Sequence, residues 1–80
     1  MNGTKYIVME NDFNLRLYII PKGMSHSDMY NMVKNFYPGL KLTSAGFMNE
    51  RHECYGESFT LDISSNQERD TRLAKNLFHF

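Results

Sequence analysis

Two short stretches hold side chains that could do covalent or metal chemistry. In His52-Glu53-Cys54, strand geometry would place His52 and Cys54 on one face, as for two zinc ligands. Zinc asks for one or two ligands more, and His26, His79 and the scattered carboxylates do not stand at ligand spacing. The plainer reading makes Cys54 a small buried residue and His52 a turn residue in water. In Gly56-Glu57-Ser58, a nucleophile elbow would need a glycine where Thr60 stands, and a helix where the chain continues as a strand. No histidine is tied to Ser58 by spacing, and no glycine-rich phosphate loop is present. An enzyme built on His52, Glu53 and Cys54 is therefore the least favoured reading. No catalytic residue, metal or cofactor is expected.

The groups suited to binding are more numerous. Glu50, Glu53 and Glu57 surround one turn, a solvated acidic tip that offers a contact for a basic partner. Arg69, Arg72 and Lys75, with Asn76 and His79, share one helix face. That face suits phosphates, or simply complements the helix C-terminus. Six Met and five Tyr are many for this length. Met29 and Met32 belong to a core stripe, whereas Tyr30 and Tyr37 flank it beside Lys34 and suit an adaptable protein interface. Tyr18, with Thr43 and Thr60, is expected on an open sheet face. The expected protein-binding set is Tyr18, Tyr30, Lys34, Tyr37, Glu50, Glu53, Tyr55 and Glu57. The nucleic-acid alternative is Arg69, Arg72 and Lys75.

These groups must be positioned by a small set of elements. Lys5 to Glu10 is rich in β-formers, and Asn14 to Ile20 alternates, with Leu15, Leu17 and Ile19 on one side. Asn11-Asp12 supplies the turn of a hairpin and Pro21 ends it. Ser25 and Asp28 stand at capping-box spacing, followed by Met29, Met32, Val33 and Phe36 at helical spacing until Pro38-Gly39. Leu40 to Met48 is extended, with a bulge near Ala45-Gly46, and His52 to Tyr55 begins a further strand broken at Gly56. Ser58 to Ser64 alternates, which predicts a strand with Phe59, Leu61 and Ile63 inward. Ser65 and Glu68 predict a second capping box, ahead of a helix with Leu73, Leu77 and Phe80 inside. The order ββαββα predicts an α+β domain: one four-stranded antiparallel sheet with both helices packed on one face.

Eighty residues make a single domain, residues 1–80, with a modest core. With 9 Lys+Arg against 9 Asp+Glu, the net charge is zero, unlike a protein that coats DNA. One cysteine excludes an internal disulfide and fits a reducing compartment. No apolar stretch approaches the roughly 20 residues of a membrane span. Without the apolar core of a signal peptide, the N-terminus predicts a cytosolic location.

Ser44-Ala45-Gly46-Phe47, Cys54-Tyr55-Gly56-Glu57-Ser58 and Glu68-Arg69-Asp70-Thr71 together resemble a pattern in small uncharacterised proteins of bacteriophages and prophages. The resemblance covers roughly residues 40 to 75. It implies a phage-encoded accessory protein in the bacterial host cytoplasm and carries no catalytic residue. Combined with the residues above, it predicts a non-enzymatic protein that binds a host protein and modulates or inhibits it. A component of a bacterial defence system would be one fitting target, and a homodimer is compatible with a core this small.

Overall fold

The computed structural model describes residues 3–78. Its elements are strands β1 (Thr4–Glu10) and β2 (Leu15–Ile19), helix α1 (His26–Phe36), strands β3 (Lys41–Met48), β4 (Cys54–Tyr55), β5 (Glu57–Ser58) and β6 (Ile63–Ser64), and helix α2 (Gln67–Leu77). The class is α+β, with a four-stranded antiparallel sheet of order β2-β1-β3-β4.

β1 occupies the middle because it can be buried on both sides. Tyr6, Ile7, Val8 and Met9 are all fully buried. Alternation sends Ile7 and Met9 to one face, where they meet Met29 and Val33 of α1 together with Ile20, Leu40 and Ala45. Tyr6 and Val8 go to the other face and meet Met48, Cys54 and Ala74 of α2. The helices therefore cover opposite faces, which corrects the expectation that both pack on one. It also removes the open sheet face expected around Tyr18, Thr43 and Thr60. An uninterrupted apolar run is the pattern of a strand covered on both faces.

The first hairpin forms as its turn chemistry dictates. Asn11 Oδ1 accepts from the backbone N–H of Phe13 at 2.9 Å and of Asn14 at 2.8 Å. The capping box of α1 is complete: Ser25 Oγ accepts from Asp28 N at 3.0 Å, and Asp28 Oδ2 accepts from Ser25 N at 3.2 Å. Met29 and Val33 are buried, but Met32 and Phe36 of the expected stripe are exposed, because the core beneath α1 is narrow. The bulge falls at Thr43, earlier than expected: Val8 opposes Ser44 and Met9 opposes Leu42.

The segment expected as a long strand from Ser58 to Ser64 is instead a tight hairpin, β5 against β6. Phe59 stands 89% exposed at its tip. Ser58 Oγ accepts from Leu61 N at 3.2 Å, and Asp62 adopts φ of 52°, so the chain turns where alternation alone suggested extension. Helix α2 is capped by Asn66, whose side chain accepts from Arg69 N, and not by Ser65. Its inward residues are Asp70 and Ala74, with Leu73 half-buried and Leu77 exposed. Phe80 and His79 lie outside the described residues.

Candidate functional site

At the end of the sheet where β1 begins, the Asn49–Glu53 turn, the end of β2 and the end of α2 enclose a groove of about 910 Å³. Ile19, Met48, Tyr55 and Phe78 supply apolar walls, and Glu50, Arg51, His52 and Glu53 supply charge and polarity. The groove is held by a stiff turn. Asn49 N donates to Glu53 O at 3.0 Å, and Asn49 Oδ1 accepts from Arg51 N at 2.8 Å and Glu53 N at 3.0 Å. Asn49 Nδ2 donates to Glu53 Oε1 at 2.8 Å. His52 takes a left-handed φ of 62°, a region in which His is one of the more tolerated residues. That conformation lays its ring parallel to Phe78, with centroids 4.0 Å apart. The turn is thereby pinned to the end of α2, and Cys54 N is pinned to it again by Thr71 Oγ1 at 2.8 Å.

Three of the expected contact residues, Glu50, Glu53 and Tyr55, converge on this groove. Among the described residues neither carboxylate is ion-paired, nor is the Arg51 guanidinium. Glu57 is exposed on β5, away from the groove lining. The other four lie on the α1 side of the molecule. Tyr18 and Tyr30 are half-buried and pack against the core, and the Tyr18 hydroxyl is buried without a hydrogen-bond partner. Lys34 Nζ donates to the carbonyls of Pro38 at 2.9 Å and Leu40 at 3.1 Å, closing the end of α1. Tyr37 is exposed beneath the Arg16 guanidinium, 5.4 Å from its ring centroid.

The basic residues of α2 do not present one uniform face. Arg69 turns inward, donating to Asp70 Oδ1 from Nε at 3.2 Å and from Nη2 at 3.0 Å, and to Ser44 Oγ at 2.9 Å. Arg72 lies 3.4 Å from Glu68, one helical turn away. Lys75 is exposed and unpaired among the described residues.

The most concentrated polar constellation is one that residue spacing does not reveal. Asp70 is fully buried, and its Oδ2 accepts from Tyr6 Oη at 2.6 Å, Ser44 Oγ at 2.6 Å and Asn66 N at 3.0 Å. Burial and the neighbouring Asp70 carboxylate push the Tyr6 hydroxyl far above the ordinary tyrosine range. Burial likewise pushes the Cys54 thiol up. Nucleophiles need the opposite shift, so this cluster is suited to joining α2, β1 and β3 rather than to covalent chemistry. Gly46 lies next to it, where a Cβ would run into the Tyr55 carbonyl oxygen. His52 stacks in the groove wall instead of pairing with Cys54, and among the described residues no group of three or more His, Cys, Asp or Glu could hold a metal ion. No described helix is long and apolar enough to cross a membrane. Comparisons with protein-family models, with curated proteins and with solved structures find no match, so the chemistry of the groove rests on its own residues.

Proposed function

We propose that this chain is a non-enzymatic accessory protein that binds a host protein, through the groove walled by Tyr55, Ile19 and Phe78 and rimmed by Glu50 and Glu53. The resemblance of its second half to bacteriophage and prophage proteins gives the setting: the bacterial host cytoplasm, with modulation or inhibition of the bound protein as the outcome. The observation that carries the reading is the meeting of Glu50, Glu53 and Tyr55 on one rigid concavity with exposed apolar walls. Two carboxylates against one guanidinium leave its lining net acidic, so the occupant that fits is a polypeptide segment with an apolar side chain next to a Lys or Arg. Cys54 and Ser58 support the non-enzymatic reading. The thiol is buried and raised, and the serine hydroxyl is engaged within its own hairpin by Thr60 Oγ1 and Leu61 N.

Affinity capture from nuclease-treated bacterial lysate, read by mass spectrometry, tests this function. A stoichiometric protein should be retained by the wild type and lost with the double variant Glu53→Lys/Tyr55→Ala, both exposed positions. A catch that survives the double variant removes the groove from the proposal. One that disappears with nuclease transfers the function to Lys75 and its neighbours on α2.

A further inference from the structure

We infer that β2 is a pairing edge for a second copy of this chain, giving a two-fold dimer with one sheet continuous through both protomers. Ile20 N donates to Lys5 O at 2.9 Å and Asn11 N donates to Asn14 O at 3.0 Å, so Asn14, Arg16, Tyr18 and Ile20 direct their backbone groups at β1. Leu15, Leu17 and Ile19 therefore direct theirs outward, and no described backbone group pairs with them. Of the usual protections of an exposed edge the strand carries one, the charge of Arg16. It has no Pro, no Lys and no bulge, and its register against β1 is unbroken. The opposite edge differs, because β4 is only 2 residues long and stops at Gly56 with φ of 76°.

The occupant follows from the residue order. Antiparallel pairing of β2 with itself about Leu17 sets Leu17 opposite Leu17 and Leu15 opposite Ile19, each pair exchanging both N–H···O bonds. The outward-pointing residues are the ones that must bond in this register. Arg16, the one charged residue of the strand, falls opposite Tyr18, so no like charges meet. On the α2 face, Ile19 and Leu77 are exposed apolar side chains beside the half-buried Leu15, Leu17 and Leu73, and a second copy would extend this layer.

Sedimentation equilibrium up to on the order of 1 mM protein, with amide exchange read residue by residue by NMR, tests the edge. The expected result is a species of twice the chain mass, with exchange at Leu15, Leu17 and Ile19 slowing as concentration rises. Leu17→Pro, which removes an outward N–H that β1 does not use, should leave a monomer that keeps its β1–β3 protection. If that variant fails to fold, exchange in the wild type decides alone. A monomer across the range overturns the inference, including when β2 pairs instead with an extended segment of another protein. A dimer whose three amides exchange freely, or a folded Leu17→Pro chain that remains dimeric, overturns it as well. None of these results depends on Glu53 or Tyr55, so the edge and the groove are tested separately.

Discussion

Replacing Asp70 by Ala should cost this domain much of its stability. The carboxylate is fully buried and accepts from Tyr6, Ser44, Asn66 and Arg69. Arg69 is partly exposed and can turn to water, and Asn66 lies at the helix start. Tyr6 and Ser44 are buried, and each hydroxyl that loses its acceptor costs about 1–3 kcal/mol. Together they amount to roughly 2–6 kcal/mol, against a total near 4–12 kcal/mol for a chain of this length at ~0.05–0.15 kcal/mol per residue. Urea unfolding followed by far-UV circular dichroism and tyrosine fluorescence measures this, and with no Trp and 5 Tyr the fluorescence reports on Tyr6 among few others. Adding Tyr6→Phe to Asp70→Ala should restore about 1–2 kcal/mol, because the hydroxyl that lost its acceptor is then gone. Asp70→Asn keeps the shape and one acceptor but turns an amide donor toward other donors, so it should fall between wild type and Asp70→Ala. If Asp70→Ala unfolds within about 1 kcal/mol of wild type, the network is not what fastens α2 to the sheet.

Stability should also fall in alkali. Tyr6 and Cys54 both have folded pKa values raised by burial, so each contributes fully below its unfolded pKa, near 10 and 9, and loses that contribution as pH rises toward the folded value. Urea midpoints between pH 7 and 11 should fall from about pH 9 upward, and Tyr6→Phe should flatten the decline above pH 10. Phe59→Ala should shift stability by no more than about 0.5 kcal/mol, since that ring is 89% exposed; a larger loss in thermal melts would return Phe59 to the core. Gly46→Ala should destabilise by more than about 2 kcal/mol, because the new methyl meets the Tyr55 carbonyl rather than a flexible side chain, and a neutral outcome in the same melts would mean that β4 shifts freely. Cys54, buried with a raised pKa, should react with iodoacetamide at the rate of unfolding rather than at that of a free thiol.

Much of the local structure was legible because it is decided locally. The Ser25–Asp28 capping box, the Asn11 turn, the stop at Pro38-Gly39 and the α+β class rest on interactions within a few residues. Alternation by itself does not decide burial. Phe59, Leu61 and Ile63 alternate like a strand, yet Ser58 closes a hairpin on Leu61 and only Ile63 continues as β6. The Leu73 and Leu77 stripe hid the Asp70 and Ala74 face, because an acidic residue at the start of a helix is explained equally well by the helix dipole. Of the expected contact residues, Glu50, Glu53 and Tyr55 meet because the turn between them is short. Tyr30, Lys34 and Tyr37 went to another side of the molecule, where Lys34 closes its own helix.

The residue order by itself determined the first hairpin, the two helices and the extended run of β3, since caps, turns and breakers act over a handful of neighbours. It also held a sign of the two-sided sheet in the continuous run Tyr6-Ile7-Val8-Met9. Tertiary structure alone decided that the helices take opposite faces, that Asp70 finds Tyr6 and Ser44 across the chain, and that Phe78 closes a groove against His52. The physical reason is range. Propensity and capping operate between near neighbours, whereas burial of a carboxylate or the enclosure of a groove requires several distant elements to be packed at once.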